Sequence, residues 1–211
     1  MSAAEIDFGG LSIRYDERVL EPRPWTTSQS RWAADLLRDS PPGPVLELCS
    51  GAGHIGLLAV AFQPRDLVMV DVNPVACTYA RENVERNPVT TAVEVREGSM
   101  DEVLDAHERF AAVIADPPWV TSNEVTRFPG DPVIAIDGGP DGMAVAWLCL
   151  DVIERHLVDQ GWALLQLGNT AQAGALEEHL AVSPDHRLEV KEVQEYDARG
   201  VLVLLTRPRQ D

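Results

Sequence analysis

From about residue 43 onward, short apolar runs alternate with amphipathic stretches, a pattern that predicts a mostly parallel sheet covered by helices. The predicted strands are VLELC (45–49), LVMVDV (67–72), AVEVRE (92–97), AAVIAD (111–116), WALLQLG (162–168), RLEVKEVQ (187–194) and VLVLLTR (201–207). Apolar residues recur at helical spacing in HIGLLAVAF (54–62), PVACTYARENVERN (74–87), MAVAWLCLDVIERHLVDQ (143–160) and AQAGALEEHLAV (171–182). The last two strands follow one another through the short DARG turn, which predicts an antiparallel hairpin closing a seven-stranded sheet. Ahead of the sheet, FGGLSIRYDERVL predicts a small hairpin, and in PRPWTTSQSRWAADLL Pro24 ends a strand before a helical stretch. No repeat and no linker divides the chain. Residues 1–40 read as an extension packed on a core domain of residues 41–211.

With 211 residues, 45% of them hydrophobic, the chain has the apolar content for one core. Its 17 basic and 34 acidic residues leave a net charge of −17, which repels phosphate backbones and argues against a nucleic-acid duplex as partner. The most basic run, around Arg207 and Arg209, reads as a solvated tail. Cys49, Cys77 and Cys149 are far apart, with neither disulfide-framework nor zinc-site spacing, and read as reduced packing residues. The five histidines are scattered, no metal-ligand spacing is present, and surface positions are expected for most of them. Neither a leader pattern nor a run of about 18 apolar residues is present, so no membrane partner and a cytoplasmic location are expected. Oligomeric state is not legible.

The strand VLELC runs into SGAGHIG, a glycine-rich turn that opens a helix. Gly51 and Gly53 allow close backbone approach to a ligand, and Glu47 at the strand end suits an amine or a ribose. A tight turn with no ligand is the alternative. The second strand ends at Asp71 within MVDVNP, where a carboxylate beside the first loop can accept hydrogen bonds from vicinal ribose hydroxyls, or merely cap a helix before Pro74. The third ends in EGSMDE, placing Ser99 and Met100 to border an adenine ring. A dinucleotide and a sulfonium ligand both suit such an edge. Pyrophosphate favours GxGxxG with free amides, whereas C-S-G-A-G-H-I-G behind an acidic Glu47 better fits a sulfonium carrying an amino-acid tail.

The fourth strand ends in Asp116-Pro117-Pro118-Trp119. Two prolines stiffen this turn and remove backbone donors, so the Asp116 side chain and the Pro117 carbonyl can both accept hydrogen bonds from one planar –NH₂ group. Trp119 can stack on its flat face, leaving the nitrogen lone pair aimed at a methyl group. A strand-ending turn with a core tryptophan is the plainer alternative. Residues 121–136 form a long connection at this edge, suited to a lid or a substrate wall. Gly138, Gly139 and Gly142 either give hinge freedom or shape a turn, and Trp147 reads as core.

These segments, with LEPRPWT (20–26), IDGGPDGMAVAWLCLDVI (136–153) and EYDARGVLVL (195–204), resemble class I S-adenosylmethionine-dependent methyltransferases of the HemK/PrmC type, which methylate protein glutamine amides. The resemblance covers nearly the whole chain and implies an α/β, seven-stranded Rossmann-like sheet with helices on both faces. It implies S-adenosylmethionine held by Glu47, Cys49, Ser50, Gly51, Gly53, Asp71, Val72, Asn73, Ser99, Met100 and Asp116. Asp116, Pro117, Pro118 and Trp119 would then orient the acceptor, with Pro24, Trp25, Thr26 and Trp119 contacting the substrate. A protein acceptor such as a release factor is implied; a small-molecule amine is the alternative, and adenine ranks below both. A binding module without turnover is a further possibility. The family's NPPY is DPPW here, its PRPET is PRPWT, Cys49 replaces the first glycine of the cofactor loop, and the family's helical N-terminal domain is absent from these residues. An ionised aspartate only accepts hydrogen bonds, which suits an amine better than an amide.

Overall fold

The computed structural model describes residues 3–182 and 186–209. Met1, Ser2 and Gln210, which the sequence places in the N-terminal segment and the basic tail, lie outside them. The chain opens with a hairpin of β1 (Ala4–Phe8) and β2 (Leu11–Tyr15), a 3-10 turn at Pro24–Thr26 and α1 (Thr27–Leu37). Then come β3 (Val45–Leu48), α2 (His54–Phe62), β4 (Leu67–Asp71), α3 (Pro74–Arg86), β5 (Val93–Glu97) and β6 (Phe110–Ala115). The short α4 (Val133–Ile136), α5 (Ala144–His156), β7 (Leu157–Leu167), α6 (Thr170–Val182), β8 (Glu189–Glu195) and β9 (Val201–Thr206) complete it.

The main sheet has seven strands in the order β5-β4-β3-β6-β7-β9-β8. The first five in that order are parallel, and β9 is antiparallel to both of its neighbours. Every residue of β3 and β6 is buried, because strands covered on both faces have no polar side to present. One face packs α5 and α6 through Leu150, Ile153 and Leu176, the other packs α1, α2 and α3 together with the hairpin residues Phe8 and Ile13. The chain steps outward from β3 to β5 and returns on the other side of β3 with β6. Strand order therefore reverses between β3 and β6, which opens a crevice at their carboxyl ends. Because Leu48 pairs with Ala115, the residues that follow, Cys49 and Asp116, emerge side by side into that crevice.

Several sequence expectations change. The helix expected over 143–160 ends at His156, and β7 starts at Leu157, which pairs with Phe110 and is 1% exposed. Leu157 continues the i,i+4 apolar stripe from Ile153, so the pattern runs on while sheet pairing takes the backbone. The hairpin begins earlier than expected, with Gly9 and Gly10 as its two turn residues at φ 63° and 98°, the signs a two-residue type I′ turn requires. Arg207 is not a solvated tail: it is buried against Glu154 and bonded to that residue's carbonyl and carboxylate. Among the histidines only His107 and His179 are exposed; His156 is buried with Nδ1 3.0 Å from the Glu108 carbonyl. Trp147 is half-buried rather than core, and its ring lies against His179.

Candidate active site

A cavity of about 650 Å³ occupies the crevice. Its base is formed by Cys49, Ser50, Gly51 and Asp116, one side by Asp71, Val72, Asn73, Ser99 and Met100, and the opposite wall by Val133, Ile134, Ala135 and Asp137 of the long connection. Val19 and Leu20 of the N-terminal segment also line it. The Asn73 amide fixes them there by donating to the Arg18 carbonyl at 3.0 Å, while its Oδ1 caps α3 by accepting from Val75 N. Asp71 joins the two cofactor-side loops. One carboxylate oxygen accepts from Gly51 N at 2.7 Å and the other from Asn73 N at 2.8 Å, so each oxygen keeps a lone pair for a ligand hydroxyl.

Three buried or half-buried acids surround the loop without a cationic partner. Burial pushes the Asp116 carboxyl up to about 7, and no hydrogen bond among the described residues engages its side chain. Glu47 is pushed up to about 8, chiefly by burial and against the opposing pull of the Gly56 N–H, which donates to Oε1 at 2.9 Å. Its Oε2 has no partner among the described residues, as suits a carboxyl that carries a proton at neutral pH. Asp71 is also raised by burial, with its backbone donors opposing. Among the described residues no lysine or arginine lines the cavity. His54, at the start of α2, also lines it; burial lowers this imidazole to about 3 and keeps it neutral against the Phe8 edge.

Asp116 N still donates to Leu48 O at 3.5 Å; beyond it the backbone of Pro117, Pro118 and Trp119 leaves the ladder, and the Pro117 carbonyl accepts no hydrogen bond among the described residues. The turn is braced by the glycine segment that follows α4. Val120 N donates to Ile136 O and Gly138 N to Val120 O, at 2.9 and 2.8 Å, and Ser122 N donates to Gly139 O. A Cβ on Gly138 would come within 2.6 Å of the Pro118 carbonyl, so the glycine is a close-packing requirement. The same close packing at Gly142, where a Cβ would meet the Trp119 carbonyl, shows that these glycines shape the turn. On the far side of Trp119 a second cavity, about 700 Å³, is bounded by Trp147, Phe128, Glu124, Arg127 and Gln172.

The methyltransferase small domain family model matches residues 29–134, which run from α1 through the glycine loop, Asp71 and the Asp116–Trp119 turn to the cavity wall. The chain belongs to the methyltransferase small domain family. It is 31% identical over 179 residues to the release factor glutamine methyltransferase of Mycolicibacterium smegmatis, covering 81% of this chain and 61% of that one. Release factor and ribosomal protein uL3 glutamine methyltransferases recur among its curated relatives, of whose length the chain spans little more than half. Among solved structures it is similar to the hMettl16 catalytic domain in complex with MAT2A 3′UTR hairpin 1, with a TM-score of 0.72 and 18% identity over 97% of this chain and 76% of that one. It also matches the N-terminal domain of human METTL16 in complex with SAH, with a TM-score of 0.63 and 21% identity over 96% of this chain and 77% of that one. Likeness at this level establishes the fold of a class I methyltransferase. No helix among the described residues is long and apolar enough to cross a membrane.

Within this methyltransferase fold the cavity gathers Cys49, Ser50, Gly51, Asp71, Val72, Asn73, Ser99, Met100, Asp116 and Pro118 from the residues singled out by sequence. The others lie elsewhere. Glu47 does not line the cavity; its Oε1 accepts from Gly56 N of α2, which braces the loop from behind. Gly53 is the α2 N-cap at φ 79°, packed on Met69, where a Cβ would lie 3.0 Å from the sulfur. Pro117 is buried, and Trp119 faces the second cavity. Pro24, Trp25 and Thr26 line neither cavity; Trp25 packs near Tyr196 with ring centroids 6.2 Å apart. Sequence reasoning missed Val19, Leu20, His54 and Asp137, while the α4 wall falls within the 121–136 connection that the sequence marked as a lid or substrate wall. Position after a glycine turn was the one signal available for His54; the others reach the cavity through tertiary packing alone.

Proposed function

We propose that the protein is an S-adenosylmethionine-dependent N-methyltransferase whose acceptor is a planar nitrogen, the side-chain amide of a glutamine in a protein. The observation that carries this reading is Asp116, an unpartnered carboxyl at the base of the cofactor-sized cavity, followed directly by the rigid Pro117-Pro118 turn. The cavity suits a cationic nucleoside: it offers Asp71 for hydroxyls, Ser99 and Met100 for a base, acidic groups for a cation, and no basic side chain for a pyrophosphate. S-adenosylmethionine supplies an electrophilic methyl on a sulfonium when bound. The protein's part is to hold the acceptor nitrogen in line and exclude water, a gain of position and fixed polarity.

Asp116 and the Pro117 carbonyl receive the acceptor's two N–H bonds and orient its lone pair. Desolvation places Asp116 near half-protonation at neutral pH. In the ligand-free protein its protonated form presents one donor and one acceptor, as the asparagine of NPPY does. The ionised form favours an amine, and this property supports a small-molecule amine as the second reading. The proton released from nitrogen passes to the Asp116 carboxylate or to water. Similarity to release factor and uL3 glutamine methyltransferases favours the protein acceptor.

The test is transfer of labelled methyl into a cell extract separated into protein, nucleic-acid and small-molecule fractions. Label on a glutamine in one protein band is expected. Label confined to small molecules or to nucleic acid would overturn the protein acceptor.

A further inference from the structure

Gln172, near the start of α6, is 8% exposed and lies outside the sequence motifs. Its amide bonds to three separate backbone segments. Oε1 accepts from Gly168 N at 2.8 Å, at the carboxyl end of β7. Nε2 donates to Trp119 O at 3.1 Å, to Gly142 O at 3.3 Å and to Asp141 O at 3.4 Å. Asn169 caps the same helix start, with Oδ1 accepting from Gln172 N at 3.0 Å, so the backbone behind the amide is fixed as well. Glycines make room for this junction. A Cβ on Gly142 would sit 2.4 Å from the Trp119 carbonyl and 2.5 Å from Nε2, and one on Gly168 would sit 2.3 Å from the Trp119 ring.

Trp119 is thus held by its carbonyl through Gln172 and by its ring through the bare Gly168 backbone. Three carbonyls lie within reach of one NH₂ group whose partner oxygen accepts from Gly168 N, and a primary amide supplies both roles, where a hydroxyl or carboxylate offers too few donors and an ammonium no acceptor. We propose that Gln172 is a positioning residue for the acceptor turn: by tying Trp119 to β7 and to the glycine segment, it fixes the orientation of the Asp116 side chain and the Pro117 carbonyl toward the methyl acceptor. This inference rests on the acceptor role given to that turn under Proposed function. Gln172 lines only the second cavity and lies outside the cofactor cavity, so its loss should alter transfer without altering cofactor binding.

Gln172→Met keeps the volume and removes every amide hydrogen bond. Gln172→Glu keeps an acceptor for Gly168 N and sets a carboxylate against three carbonyls. The full chain is labelled with 5-fluorotryptophan, its Trp119 line assigned by Trp119→Phe, and ¹⁹F spectra are read beside calorimetric binding of S-adenosylhomocysteine and transfer to the extract's protein fraction. In both variants the Trp119 line should shift or broaden while the other tryptophan lines stay, S-adenosylhomocysteine affinity should hold within about twofold, and kcat should fall on the order of 100-fold, as a displacement of about 1 Å produces. Gln172→Glu should recover part of its rate relative to wild type as pH is lowered, when its carboxyl gains a donor. An unmoved Trp119 line, or a moved line with unchanged kcat, overturns the positioning role. A wild type that transfers no methyl contradicts the proposed function instead, and is distinguished because the ¹⁹F spectra still read Trp119.

Discussion

Replacing Asp116 by asparagine should stabilise the ligand-free protein, and by an amount that depends on pH. Asp116 titrates near 7 in the folded state against 3.8 for the free side chain, so between those values the native state holds more protons than the unfolded one. Stability is therefore lost as pH rises from about 4 to about 7, and is flat above that. The shift of about 3 units corresponds to a ceiling of about 4 kcal/mol. Asp116 is part-exposed to the cavity, and screening there reduces the expected gain to about 2 kcal/mol. Urea unfolding of wild type and Asp116→Asn from pH 3.5 to 8 reads the difference directly. The curves should meet near the acid end and diverge to roughly 2 kcal/mol at pH 8. A variant equal to or less stable than wild type at pH 8 would refute the reasoning, since it would mean that the ionised carboxylate is compensated in the folded state.

A cationic ligand next to Asp116 should draw its pKa down, so calorimetry in buffers of different ionisation heat should detect proton release when S-adenosylmethionine binds near pH 6.5, and much less with neutral-sulfur S-adenosylhomocysteine. Equal release with both would count against this electrostatic account. Asp71→Ala removes the acceptor that fixes Gly51 N and Asn73 N and should weaken S-adenosylhomocysteine binding by about 2 kcal/mol, roughly 30-fold, in the same calorimeter. Gly56→Ala places a Cβ 2.3 Å from Glu47 Oε2 and should lower stability by about 1–3 kcal/mol in urea unfolding.

The sheet was legible because buried parallel strands carry apolar side chains on both faces, and VLEL and FAAVIA show no alternation that a half-exposed strand would need. The end of α5 was not, because Leu157 satisfies helical spacing and strand pairing alike, and only contact with Phe110 decides between them. Asp71 and Asp116 could be read because strand ends in such a sheet converge on one edge. Glu47 shares that logic yet turns away, since the Gly56 N–H lies within its reach on the inner side of the loop. Val19 and Gln172 belong to segments far apart in sequence, and nothing local distinguishes them from ordinary packing residues, whereas Ile134 lies in the long 121–136 connection that the sequence marked as a wall. Trp25, a motif match with the family, packs near Tyr196 and lies outside both cavities.

The most direct test of the central claim, that Asp116 and the turn after it orient a methyl acceptor beside a bound cofactor, sets Asp116→Ala beside wild type. S-adenosylhomocysteine affinity and labelled methyl transfer to the protein fraction are measured on the same preparations. The account predicts affinity within a few-fold of wild type and transfer reduced on the order of 100-fold or more. Transfer that survives Asp116→Ala at the wild-type rate would contradict it.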